Sequence, residues 1–259
     1  MFFTRKQTDG KVYDREGIDL IDMHSHVLPA IDDGSESVER SLEMLRFSCD
    51  RGVRKIVATP HFYPHSMNPL DFLERRERAV KAIVAAATDA RSSGEELPEV
   101  YLGAEVAYFD GISRSEAVSR LGILGTKLLL VEMPFSRWSE GCINELIALK
   151  AKGFVPVVAH YDRYWSYQRN GVLERLLEHG VIIQLNAEAF LRFTTKRTAL
   201  ALVSAGAVGF LGSDCHNMED RKPNLADAAE VICRSAGVDC VKQIMDGAAA
   251  LLENAEAIF

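Results

Sequence analysis

The stretch Ile18-Asp19-Leu20-Ile21-Asp22-Met23-His24-Ser25-His26 opens with a short aliphatic run, Ile18–Asp22, and leads into two histidines, two positions apart. On an extended chain, side chains two residues apart project to one face, so both imidazoles can grip a single ion. Six more short aliphatic or β-branched runs follow, at Lys55–Thr59, Glu99–Gly103, Lys127–Val131, Phe154–Val158, Val181–Leu185 and Val208–Leu211. Longer amphipathic runs separate most of them, the pattern of β-α units around a parallel sheet. Between the first two, Val38, Leu42, Leu45 and Cys49 recur at helical spacing, and Gly52 stands where a helix ends. Further helices are expected over Pro69–Ala90, Glu140–Ala151, Gly171–His179, Lys196–Ala205, Asn224–Ala236 and Cys240–Leu252.

Periodicity does not separate a barrel from an open doubly wound sheet; the polar residues do. The second strand runs into His61, the third into Glu105, the fourth into Glu132, the fifth into His160 and the seventh into Ser213-Asp214-Cys215-His216. Six of the seven strands thus deliver a histidine or carboxylate at the same end. Barrel enzymes draw their site from the C-terminal ends of many strands, whereas an open sheet concentrates it at one switch point. The expectation is an α/β fold with one domain, a seven-stranded (β/α)7 TIM-like barrel. At 259 residues the chain has the size of one such barrel.

Composition narrows the chemistry. Hydrophobic residues make up 47% and charged residues 26%, which is globular. A net charge of -7 without a dense Lys/Arg stripe argues against nucleic acid and anionic membranes as partners. The five cysteines are widely spaced with no C-x-x-C pair, which fits a reducing cytoplasm better than a disulfide or zinc-finger framework. No export signal or run long enough to insert in a membrane is visible.

A His/carboxylate set without cysteine suits manganese, iron or zinc. His24, His26, Asp33, His61, Glu105, Glu132, His160, Asp214 and His216 exceed what one ion needs and could serve two or three if a carboxylate bridges. Multi-metal sites of this kind clamp phosphoryl groups and activate water, so phosphoester hydrolysis is the leading chemistry. Arg163 and Arg221, each shortly after a ligand, offer guanidinium groups that match phosphate oxygens. The plainer alternative is a surface ion pair with Asp162 or Asp220. Cys215 and Arg221 fit the bare C-x5-R pattern of cysteine-dependent phosphatases, but the intervening His216-Asn217-Met218-Glu219-Asp220 has no glycine and two carboxylates that would repel phosphate. Cys215 is read as a small residue alternating away from Asp214 and His216.

The run Asp22-Met23-His24-Ser25-His26-Val27-Leu28-Pro29-Ala30-Ile31-Asp32-Asp33-Gly34, with Ala58-Thr59-Pro60-His61, Gly103-Ala104-Glu105, Glu132, His160-x-x-Arg163-Tyr164 and Gly212-Ser213-Asp214-x-His216, resembles the PHP (polymerase and histidinol phosphatase) family. Within it the match is to manganese-dependent bacterial protein-tyrosine phosphatases of capsular and exopolysaccharide loci. The resemblance implies a PHP catalytic domain over residues 18–259 after an N-terminal extension, residues 1–17, and three divalent ions, with manganese expected and iron or zinc possible. It implies His24, His26, Glu105 and Asp214 on the first ion; Glu105, Glu132 and His160 on the second; and Asp33, His61 and His216 on the third. By chemistry alone Asp32 competes equally with Asp33. Arg163 and Arg221 match the family's phosphate-binding arginines. The implied substrate is the phosphorylated tyrosine tail of a bacterial kinase controlling polysaccharide export, hydrolysed by a metal-activated hydroxide without a phosphocysteine. Neighbouring readings are a phosphatase of a small phosphomonoester such as histidinol phosphate, or a non-catalytic PHP module.

Two departures from the family pattern bear on the site. His160 is followed by Tyr161-Asp162 where relatives often have Pro-Glu, and His61 by Phe62-Tyr63-Pro64-His65 rather than a second adjacent histidine. The first is expected to spare the metal site. The second places Tyr63 and His65 in a loop facing substrate, where they would tune specificity or supply a proton.

Overall fold

A computed structural model describes residues 17–259. The extension expected over residues 1–17 lies outside the described residues apart from Gly17. The strands are β1 (Leu20–Ser25), β2 (Val53–Ala58), β3 (His61–Phe62), β4 (Glu99–Leu102), β5 (Glu105–Ala107), β6 (Leu128–Glu132), β7 (Val155–Val158), β8 (Ile182–Asn186) and β9 (Phe210–Gly212). All their pairings are parallel, in the orders β1-β2-β4 and β3-β5-β6-β7-β8-β9.

Two of the seven expected strands are broken, so nine segments stand where seven were read. Pro60, which has no N–H to give a ladder, separates β2 from β3; Gly103-Ala104 separates β4 from β5. The ladder survives both breaks, since the Gly103 amide donates to the Ala58 carbonyl at 2.9 Å and the Glu105 amide to the Pro60 carbonyl at 3.1 Å. The kinks turn His61 and Glu105 inward without interrupting the wall.

The circuit closes between the first and last strands. The Asp214 amide donates to the His24 carbonyl at 2.8 Å and the His26 amide to the Cys215 carbonyl at 2.9 Å. The backbones meet so closely there that a Cβ on Gly212 would lie 2.5 Å from the Cβ of His24, so no larger residue fits. The result is the expected seven-stranded barrel. Its wall is built from Ile56, Val57, Leu129, Val131, Val158, Ile183, Leu185 and Leu211, all buried.

The helices are α1 (Val38–Asp50), α2 (Pro69–Ser92), α3 (Glu140–Ala151), α4 (Val172–Glu178), α5 (Glu188–Leu191), α6 (Phe193–Ser204), α7 (Leu225–Ala236) and α8 (Val238–Leu251). Local chemistry sets their ends. The Ser37 hydroxyl caps α1 by accepting from the Arg40 amide, Pro69 opens α2 behind the Asn68 cap, and Gly52, at φ 87°, releases α1 into β2. His179 caps α4, its Nδ1 2.8 Å from the Arg175 carbonyl. The sequence showed no periodic signal for α5, a four-residue turn, or for two 3-10 turns at Ile112–Arg114 and Glu116–Arg120. Among the described residues no helix is long and apolar enough to cross a membrane.

Candidate metal centre

The barrel gathers the strand-end side chains around Glu105, which is fully buried at the start of β5. One carboxylate oxygen, Oε2, lies 3.1 Å from His24 Nε2, 3.4 Å from His26 Nε2 and 3.0 Å from His61 Nδ1. The other, Oε1, lies 2.7 Å from His160 Nε2, which is itself 3.8 Å from Glu132 Oε1. Asp214 approaches from β9, with Oδ1 3.7 Å from His24 Nε2 and 3.4 Å from His26 Nε2. Asp33 Oδ1 faces His61 Nε2 and His216 Nε2, each at 3.5 Å. All nine expected donors therefore meet in one bowl.

The hydrogen-bond pattern tests whether this set fits cations. His24 Nδ1 donates to Gln184 Oε1 at 3.2 Å and His26 Nδ1 donates to Asp32 Oδ2 at 2.7 Å. In the neutral rings those partners put the proton on Nδ1, leaving each Nε2 with a lone pair. The two Nε2 atoms lie 3.2 Å apart, flanked by the Glu105 and Asp214 oxygens. Lone pairs from four groups crowded together repel unless a cation or protons lie among them. His216 repeats the pattern: Nδ1 lies 3.0 Å from the Asp214 carbonyl, and Nε2 is buried without a hydrogen-bond partner. The donor set fits divalent ions, with histidine nitrogens and carboxylate oxygens in the mixture such ions take.

Three triads hold donor atoms within 4.8 Å of one another: His24/His26/Glu105, His61/Glu105/Glu132 and His26/His61/His216. The first lies inside the set the resemblance gave to the first ion. In the other two, His61 stands with Glu105 and Glu132, and His26 stands with His61 and His216, so His26, His61 and Glu105 each belong to two triads.

Electrostatics follow from burial and crowding. Burial opposes charge on Glu105, but His24 and His160 outweigh it and hold the carboxyl well below its ordinary range. Burial likewise opposes ionisation of Asp214, which His24, His26 and Arg163 nevertheless hold far down. Burial disfavours a charged His26, yet its bonds with Asp214, Asp32 and Glu105 raise it well above the usual imidazole value. His160 and His216 are lowered, chiefly by burial. Glu132 is the exception among the four carboxylates of the expected donor set: burial first and Glu105 second push it up to about 7.

The structure separates the two aspartates that the sequence left equal. The Asp32 side chain is 6% exposed and accepts from His26 Nδ1, the Gly34 amide and the His61 amide, so it orients histidines. Asp33, with a side chain 66% exposed, points its oxygen at the bare nitrogens. Arg163 and Arg221 form their main ion pairs with neither Asp162 nor Asp220. Arg163 Nη2 bonds Asp214 Oδ2, and Arg221 Nη2 bonds Asp214 Oδ1 at 2.9 Å. Asp162 instead accepts from the Asn186 amide at 2.8 Å, so the Tyr161-Asp162 departure supports the bowl from behind. Tyr63 and His65 lie exposed at the mouth; the Tyr63 ring stacks on His61 at 5.0 Å and stands 5.9 Å from His65.

The sequence reading missed Gln184 and Asn186, because the sixth strand carries no titratable residue. Both are buried at the end of β8. Gln184 Oε1 accepts from the His160 amide at 2.6 Å, its Nε2 donates to Asn186 Oδ1 at 3.0 Å, and Asn186 Nδ2 donates to Asp214 Oδ2 at 2.8 Å. The alternation Gln184-Leu185-Asn186 was the available signal: amides two apart at a strand end, like His24 and His26. His160 (φ 31°) and Asp214 (φ 52°) both adopt left-handed backbone, a conformation concentrated at functional sites.

The family described as "Capsular polysaccharide synthesis, CpsB/CapC" matches residues 20–258. The chain belongs to this family. It is 30% identical over 241 residues to the tyrosine-protein phosphatase YwqE of Bacillus subtilis (strain 168), covering 91% of this chain and 92% of that protein. It is 27% identical to the tyrosine-protein phosphatase CpsB of Streptococcus pneumoniae, covering 87% and 94% respectively. A crystal structure from the work on YwqE and CpsB, described as unique metal-dependent tyrosine phosphatases, superposes with a TM-score of 0.77 at 27% identity, covering 92% of this chain and 96% of that one. An amidohydrolase at 14% identity and a TM-score of 0.50, covering 93% of this chain and 76% of that one, shares the fold alone.

Proposed function

We propose that this chain is a metal-dependent protein-tyrosine phosphatase of capsular or exopolysaccharide synthesis, with its catalytic unit in residues 18–259. The observation that carries the reading is the pair of bare imidazole nitrogens, His24 Nε2 and His26 Nε2, 3.2 Å apart between two carboxylates and within a bowl that two arginines overhang. His24, His26, Asp33, His61, Glu105, Glu132, His160, Asp214 and His216 hold three divalent ions, manganese first among them. Bound there, the ions supply a water nucleophile deprotonated near neutral pH and a clamp for phosphoryl oxygens.

The chain's own groups do the rest. Glu105 links four histidines and fixes their spacing, while Asp32, Gln184 and Asn186 orient the rings and Asp214. Arg163 and Arg221 present guanidinium donors at the rim, where they bind phosphate oxygens and stabilise the charge that develops on them. Tyr63 faces the leaving group with a phenol kept protonated, since burial and then Glu132 and Glu105 raise it above its ordinary range. His65 lies beside it as a second substrate contact.

Cys215 takes no part. It is buried and burial pushes its thiol up to about 12, so no thiolate forms near neutrality. Nor do the amides around it cradle an anion, because the His216 and Asn217 amides both donate to the Arg221 carbonyl, at 2.8 Å and 3.3 Å. The substrate in this reading is the phosphorylated tyrosine tail of a bacterial kinase, and the compartment is the cytoplasm.

Phosphate release from a phosphotyrosine peptide by the manganese-loaded chain tests the reading. Turnover is expected to stop with chelator, return with manganese and persist in Cys215→Ser. Loss of activity in that variant with its metals bound overturns the mechanism, and fewer than two ions per chain together with no turnover overturns the function.

A further inference from the structure

Phe135 lies in the loop after β6, three residues beyond Glu132, and its ring is 53% exposed. A single exposed phenylalanine is ordinary. Phe193, at 97%, is one on this chain, and no ring contact holds it among the described residues. Phe135 differs because it is held in place. The Pro134 carbonyl behind it accepts from the Ser136 amide at 2.7 Å and from Trp138 Nε1 at 3.0 Å. Gln168 ties the loop down on its other side, donating to the Ser136 carbonyl at 3.0 Å and accepting from the Trp138 amide at 3.1 Å.

Beneath Phe135 an aromatic column descends into the core. Its ring packs 5.2 Å from buried Tyr164, which packs 5.3 Å from buried Trp138. Its side toward the bowl lies nearly parallel to the His160 imidazole, at 16° with centroids 6.1 Å apart. Tyr63 stands in the matching position on His61, at 24° and 5.0 Å. His160 and His61 reach Glu105 on its two different oxygens. Each of these two histidines therefore carries a partly exposed aromatic ring.

We propose that Phe135, together with Tyr63, is the specificity-determining wall that receives the aromatic ring of the substrate and makes this site prefer aryl over alkyl phosphomonoesters. The inference rests on the phosphatase reading and adds a cause for its substrate class. With phosphorus held in the bowl by charge, the group esterified to it must pass the rim that these rings line. A phenyl ring there covers apolar surface and stacks, whereas a serine-like chain does neither.

The test uses the manganese-loaded full chain and two non-hydrolysable probes, phenylphosphonate and methylphosphonate, titrated by calorimetry. The wild type is expected to bind phenylphosphonate more tightly. Phe135→Leu, which keeps apolar bulk without a ring, and Phe135→Ala should each weaken phenylphosphonate by roughly three- to tenfold while leaving methylphosphonate in place, and Phe135→Tyr should restore the preference. Turnover of an aryl phosphate should lose more in KM than in kcat. Equal weakening of both probes, or no change in either, overturns the proposal and leaves the phosphatase reading intact, as does a wild type that binds the two probes alike. A loaded wild type that hydrolyses no phosphomonoester sinks the phosphatase reading first, and this proposal with it.

Discussion

The two sides of the bowl are built differently. On the seam side, where β9 meets β1, His24, His26 and Asp214 are no more than 4% exposed, and Gln184, Asn186 and Asp32 tie them down. Toward the mouth of the bowl the donors are looser. The side chains of His61, Glu132 and Asp33 are 10%, 12% and 66% exposed, and Tyr63 is exposed beside them. The closed side fixes charge before anything binds; the open side leaves room for a substrate to reach it.

Glu105 spans both sides, so its removal should do most harm. Glu105→Gln is expected to lower kcat/KM by more than roughly a hundredfold, beyond the usual cost of losing an outer-shell partner, and to reduce metal content measured on the purified protein. Activity kept within tenfold would show that the two sides work independently. Asn186→Ala probes the closed side alone. It leaves Asp214 Oδ2 and the Gln184 amide short of a partner and should weaken metal binding by about tenfold, with a stability loss of about 1–3 kcal/mol in denaturant titration. An unchanged affinity would mean the amides behind the ligands are only packing.

The smallest effect is expected on the open side, and it depends on pH. Glu132 titrates at about 7 without metal, so below that pH a proton must leave before a cation can bind. Metal affinity should fall as the pH is lowered from about 8 to 6, by no more than roughly tenfold in all from this one proton. Above 8 the contribution of Glu132 should vanish. Glu132→Gln should flatten this slope relative to the wild type, and a slope of the opposite sign would contradict the assignment.

Much of this architecture was legible in the sequence, with telling shifts. The apolar runs located seven of the nine strands, β3 and β5 lying just beyond two of the runs, and β1, β6 and β8 extend past the boundaries read from them, to Ser25, Glu132 and Asn186. An apolar pattern stops at the first polar residue, whereas these strands continue through residues whose polar face lines the bowl. The breaks at Pro60 and Gly103 could not be placed because the ladder runs on across them, so only backbone direction records the kink. Histidines and carboxylates announced themselves by recurring at strand ends. Gln184 and Asn186 did not, since amides carry no charge and their role appears only when the barrel sets them behind His24, His160 and Asp214. Asp32 and Asp33 are adjacent and chemically identical; three-dimensional placement alone divides them. Phe135 was invisible for a similar reason, as an apolar residue after a strand reads as core until its exposure is seen.

The seam between β9 and β1 has a consequence for when this protein can act. Contacts such as Ser213 to Asp22 join residues 191 positions apart, and Asp214 and His216 come from the last strand to be made. A ribosome that has delivered six of the seven strands has produced most of the wall and a site with neither of these donors. The centre is completed only when β9 returns to β1, so a product cut short before β9 lacks two of the nine donors.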